Sequence, residues 1–124
     1  MKLTDVKARE TTVLKVRDPN TGDYLYDGKV PVTITLKGMH SDPFQNELLR
    51  QKHASSQKKN QVKSAQNERE DAAKLYASVF VSWTGIDGEC NAENAKAVLE
   101  PDSMAWLRMQ VSEELVELAE SLKK

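Results

Sequence analysis

Apolar and polar residues alternate between Val30 and Lys37. Val30, Val32, Ile34 and Leu36 fall on one face, Thr33, Thr35 and Lys37 on the other. A period of two predicts a strand with one buried and one wet face. Pro31 has no N–H for a ladder, which puts it at a strand start or an edge. Thr11 to Arg17 reads as another strand, β-branched, with Val13, Leu14 and Val16 at its centre. Between the two, Asp18-Pro19-Asn20-Thr21-Gly22-Asp23 is a turn, because Pro presets φ and Gly admits positive φ. Tyr24 to Tyr26 predicts a short strand and Asp27-Gly28 a tight hairpin. Residues 11–38 are therefore expected as a β-hairpin or three-stranded meander, behind a flexible stretch over residues 1–10. So small a sheet needs a helix or another subunit against it, and its edges are candidate docking sites.

After Gly38 the period changes. Ser41-Asp42-Pro43 predicts a helix start, with Asp42 as N-cap and Pro43 in the first helical position. No Gly or Pro follows until Gly85. One unbroken helix of that span would run about 60 Å, longer than a compact domain of this size. Its middle, His53 to Asn67, carries only Ala54, Val62 and Ala65 as apolar residues. Residues 42–84 are therefore expected as a long polar helix, either projecting or broken near 55–66. Over Asp71 to Trp83 a helical stripe returns at Ala72, Tyr76, Val79, Phe80 and Trp83. Trp83-Thr84-Gly85 breaks it and Asp87-Gly88 turns the chain. Asn91 then caps a short helix that buries Ala95, Val98 and Leu99. Pro101-Asp102 ends that helix and opens the last one. There Met104, Leu107, Val111, Leu115, Leu118 and Leu122 recur at spacings of three and four, the strongest helical signal in the chain. Strands first and helices after give an α+β class, mainly helical, with a C-terminal helical bundle over 91–122.

At 124 residues the chain is one domain's worth. With 39% apolar and 30% charged residues its core is lean. A net charge of −1 gives no global field for nucleic acid, but the charge is uneven. Arg50 to Arg69 holds six basic residues against Glu68 alone, and Ile86 to Ser121 holds nine acids against Lys96 and Arg108. Such polarity suits head-to-tail self-association or an oppositely charged partner, set against the plain alternative of solvated helix faces. A lone cysteine, Cys90, excludes an intrachain disulfide framework. There is no signal-peptide run and no membrane span, so the expectation is a soluble, cytoplasmic protein.

Candidate chemistry is sparse. His40 and His53 have no partner at metal-ligand spacing. Asp18, Asn20 and Asp23 fail the calcium-loop pattern, since Gly22 and Asp23 stand where that loop needs a ligand and a glycine. Ser82, Ser103 and Cys90 lack a nucleophile elbow or a neighbouring base. The expectation is no enzyme, no metal and no cofactor. The basic run has no interleaved aromatics for base stacking, so nucleic acid is not the expected partner. Trp83 and Trp106 are candidate interface anchors, with ordinary core packing as the alternative. Met104, Leu107, Val111, Leu115 and Leu118 form a stripe that serves either as a partner-binding groove or as core.

Three blocks resemble the tail assembly chaperones of long-tailed bacteriophages, the family encoded beside the tape-measure gene. The first is Asp18-Pro-Asn-Thr-Gly-Asp followed by Thr33-Ile-Thr-Leu and Gly38. The second is Ser41-Asp-Pro-Phe leading into the polar helix. The third is Val81-Ser-Trp83-Thr-Gly85-Ile-Asp-Gly, then Asn91 to Leu99, Pro101 and Trp106-Leu-Arg. The resemblance implies a host-cytoplasmic protein that escorts the tape-measure protein, recruits tail-tube subunits and is absent from or minor in the virion. It transfers no catalytic residue. The rival expectations are a minor structural tail or connector protein, present in the virion tail, and a small nucleic-acid-associated regulator.

Overall fold

A computed structural model describes residues 1–6, 9–57 and 64–123. Strand β1 (Thr11–Lys15) pairs antiparallel with β4 (Thr33–Lys37), which pairs antiparallel with β5 (Phe80–Thr84), so β4 is central. The short strands β2 (Tyr26–Asp27) and β3 (Val30–Pro31) form a separate hairpin over Asp27-Gly28, with Gly28 at φ 63° as such a turn requires. The expected Val30–Lys37 strand is thus divided at Val32. There the backbone turns to two partners, donating to the Leu25 carbonyl and accepting from the Val16 N–H, each at 3.0 Å.

Helix α1 (Asp42–Gln57) starts one position earlier than the sequence predicts. The Ser41 carbonyl accepts the first helical bond from the Gln45 N–H at 3.0 Å. Ser41 therefore holds the cap position, and Asp42 lies in the first turn beside the positive helix end. Helix α2 (Ala65–Ala77) opens on Ser64, whose Oγ accepts from the Asn67 N–H at 3.1 Å. The Gln51 amide donates to the Asp71 carbonyl at 2.8 Å. A straight helix would hold those residues about 30 Å apart, so α1 and α2 fold back on each other. The expected break near 55–66 falls largely on residues 58–63, outside the described residues.

The main correction concerns residues 80–84. The stripe through Phe80 and Trp83 is not helical. The chain leaves α2 at Ser78, and the Val79 carbonyl already accepts the Lys37 N–H at 2.9 Å. Residues 80–84 then form the third strand of the sheet. Phe80 pairs with Leu36 and Trp83 with Ile34, with a register shift between them that leaves Val81 as the extra residue. That bulge puts Phe80 and Trp83 on the same, core-facing side. Their rings meet edge to face, centroids 6.2 Å apart at 83°.

Helix α3 (Ala92–Leu99) opens on Asn91 as expected, its side-chain oxygen accepting from the Asn94 N–H at 2.8 Å. Ala95 and Leu99 are buried and Val98 is half-buried. After Pro101 and a single 3-10 turn (Asp102–Met104), helix α4 (Ala105–Ser121) runs back across the molecule. Arg108 of α4 ties the two together. Its Nη1 donates to the carbonyls of Leu99, Glu100 (3.3 Å) and Pro101 (3.0 Å). The Leu99 and Glu100 carbonyls are orphan acceptors at the negative end of α3, while the Pro101 carbonyl opens the 3-10 turn and also accepts from the Met104 N–H at 2.9 Å. Arg108→Met should lower stability by about 1–2 kcal/mol in urea unfolding, through loss of these charge-assisted bonds; Arg108→Lys should recover only part.

The helices cover one face of the sheet. Leu14 and Val16 from the first strand segment, Ile34 and Leu36 from β4, Phe44, Ala73, Ala77, Val79, Ala95, Leu99, Leu107, Val111 and Leu115 make one core cluster. The α+β arrangement agrees with expectation: antiparallel strands first, then helices, with the unforeseen β5 set among them.

Candidate interaction surface

Among the described residues, no helix covers the face of the sheet turned away from the core. Register places Val13, Thr35 and Ser82 in one row across it, and Lys15, Thr33 and Thr84 in the next. Val13 and the bulge residue Val81 are exposed, at 52% and 45%. Thr33 and Thr84 join their hydroxyls at 2.7 Å, and the Thr84 hydroxyl lies 2.6 Å from the Pro31 carbonyl. Tyr24 lies opposite Arg17 in an antiparallel bridge and extends this face. The Arg17 guanidinium sits over the Tyr24 ring at 5.4 Å and the Lys15 ammonium at 5.8 Å, both within cation–π range. Tyr26 on the hairpin is 61% exposed. A rigid backbone thus presents Val13, Tyr24 and Val81 among threonines and two cations. A surface of aliphatic and aromatic groups rimmed by charge fits protein contact better than small-molecule binding.

The anticipated partner-binding residues are placed differently. Leu107, Val111, Leu115 and Leu118 on α4 are all 3% exposed or less. The first three belong to the core cluster, and Leu118 lies beside Gly38. Trp83, Met104 and Trp106 pack against the same core and are half-buried. The Trp83 indole N–H donates to the Gly88 carbonyl at 3.0 Å, so this side chain fixes the loop after β5. The Asn94 amide holds the same loop through the Glu89 carbonyl at 2.8 Å. The apolar groups that α4 leaves outside are Met109 and Val116, 63% and 43% exposed. The wet face is expected from the period of two over Val30 to Lys37; the exposure of Val13 on it is not, because Val13 belongs to an apolar run, and its alternation with buried Thr12 and Leu14 is the available signal.

No group of three or more His, Cys, Asp or Glu side chains is placed to hold a metal among the described residues. Cys90 is half-buried, and burial pushes its thiol pKa up. It should therefore react with a thiol reagent near pH 8 more slowly than free cysteine, and gain rate only as the pH climbs further. In the basic segment, Arg50 is already engaged. Its guanidinium donates to Glu47 at 2.7 Å through Nε and pairs at 2.6 Å through Nη2, and that bond raises its pKa. Lys58, Lys59 and Lys63 lie outside the described residues. Among the described residues, no helix is long and apolar enough to cross a membrane. Comparison with protein-family models, curated proteins and solved structures returns no match.

Proposed function

We propose that the chain is a non-enzymatic tail assembly chaperone of a long-tailed bacteriophage. It binds the tape-measure protein in the host cytoplasm and assists assembly of tail-tube subunits around it. The observation that carries a binding role is the one-sided sheet: the helices occupy one face and leave the other bare, with Val13, Tyr24 and Val81 exposed. The choice of client rests on the three sequence blocks that resemble this family. In the fold, those blocks form the Asp18–Asp23 turn with β4, the start of α1, and the path from β5 through α3 to Trp106 and Arg108.

Coexpression with a tape-measure segment that is insoluble alone tests the proposal. Soluble segment copurifying with the chain is the expected result; unchanged insolubility would end this reading. Mass spectrometry of purified particles separates the rival virion role, because a minor tail or connector protein would appear there in stoichiometric amount. A nucleic-acid role would appear as binding that weakens steeply with salt.

A further inference from the structure

Strand β1 lies at an edge of the sheet, and its outer side is only partly occupied. Even-numbered residues of this segment face β4: the Val16 N–H donates to the Val32 carbonyl at 3.0 Å, and the Gly38 N–H to the Glu10 carbonyl at 3.2 Å. Antiparallel alternation then turns the N–H and C=O of Thr11, Val13, Lys15 and Arg17 outward. Two of these positions are closed by side chains. Arg9 Nε donates to the Thr11 carbonyl at 3.1 Å. The Gln110 side-chain amide accepts from the Arg17 N–H and donates to the Arg17 carbonyl, both at 2.9 Å. Gln110 thus does at Arg17 what a neighbouring strand's peptide group would do. Between these closures, the backbone groups of Val13 and Lys15 have no partner among the described residues.

Beside this gap runs a cleft of about 180 Å³ between β1 and α4. It is too small for a typical small-molecule ligand. Val13 and Lys15 line one side; Glu113, Glu114 and Glu117 line the other. Glu114 accepts from the Thr12 hydroxyl at 2.7 Å, which anchors α4 to the strand. Glu113 and Glu117 are exposed. Lys15, Arg17 and Tyr24 also line the cleft, both cations lying over the ring, and the Arg9 guanidinium donates to the Thr12 hydroxyl beside Glu114 at 3.0 Å. Glu113 and Glu117 on the α4 wall form no ion pair among the described residues.

We infer that the free edge of β1 takes an extended segment of a partner protein as a fourth strand. That segment carries lysine or arginine at alternate positions, on the side facing α4. Backbone bonds to Val13 and Lys15 supply affinity, and Glu113 and Glu117 select the charge. A second copy of this chain is the poorer occupant. Two-fold edge pairing would bring its own three glutamates against these, and like charges at close quarters oppose association. The inference stands on the sheet edge and the α4 carboxylates beside it and does not need the tape-measure reading.

The test is an NMR titration of the isotopically labelled full chain with an extended Lys-Val-Lys-Val-Lys peptide and its Glu-Val-Glu-Val-Glu counterpart. The lysine peptide should shift the amides of Val13 and Lys15 and slow their hydrogen exchange, with the glutamate peptide at least about tenfold weaker. Val13→Pro removes an outward N–H that the β4 ladder does not use, a substitution an edge strand tolerates. It should keep the fold and weaken the lysine peptide by about tenfold. Where Val13→Pro fails to fold, a lysine peptide N-methylated on the residues facing β1 should show the same loss against the native chain. Equal binding of the two peptides, or wild-type affinity in a folded Val13→Pro, would overturn the inference. Concentration-dependent dimerisation that Val13→Pro abolishes would overturn it in favour of a second copy.

Discussion

Val111→Asp is expected to abolish the native fold. Val111 has 0% exposure and sits in the core cluster on the buried side of α4. A carboxylate there has neither water nor a cation. Burying it unpaired costs several kcal/mol, and protonating it instead still leaves an orphaned polar group. Total stability for a domain of this kind is about 5–15 kcal/mol, so one such charge removes most of it. The expected record is loss of the near-ultraviolet dichroism of the tryptophans and of a cooperative thermal transition. Val116→Asp, on the same helix but 43% exposed, should stay within about 0.5 kcal/mol of the parent. The pair decides between two uses of the apolar stripe. A stripe kept as a groove for a client would tolerate aspartate at both positions and lose only binding.

Gly85→Ala should destabilise by about 3 kcal/mol, from two sources. Gly85 has φ 73°, where a side chain costs about 1–2 kcal/mol. A Cβ there would also lie 3.0 Å from Val32 Cγ2, 3.1 Å from Val32 Cα and 3.2 Å from the Pro31 carbonyl oxygen. Two of those atoms are backbone, in the segment that joins β3 to β4, so relief requires the strand to move. Gly22→Ala is the internal control. Gly22 has a similar φ of 79°, but a Cβ added there would meet nothing within 4 Å. It should cost only the conformational part. Equal effects at the two sites in urea unfolding would show that the β5 loop does not press on Val32.

These two sites also show where the sequence was informative. The α4 stripe was legible as a helix because its period holds over more than four turns, but period alone does not say whether a stripe faces the chain's own core or a partner. Only the placement of β1, α2 and α3 decides that. The Asp18–Asp23 turn was legible because its bonds are local. The Asp18 N–H donates to the Asp23 carbonyl and the Gly22 N–H to the Asp18 carbonyl, each at 2.8 Å. Asn91 was legible for the same reason. Strand β5 was not, because the bulge at Val81 gives Phe80 and Trp83 a spacing of three, which imitates one helical turn. The β-branched and aromatic run Val79-Phe80-Val81 was the signal for a strand. The return of α2 onto α1 brings together residues as distant in sequence as Gln51 and Asp71, which no local pattern reports. Likewise the free edge of β1 and its acidic wall exist only once residues near 13 and near 113 are side by side.

With the α4 stripe committed to the core, the sheet is what remains for a partner. Amide hydrogen exchange on the full chain, with and without a soluble tape-measure segment, tests this most directly. The expected result is slowed exchange within β1, the Tyr24–Tyr26 stretch and β5 when the segment is added, with Leu107 to Leu118 unchanged and slow in both states. Protection gained across Leu107 to Leu118, or no change at any position, would contradict it.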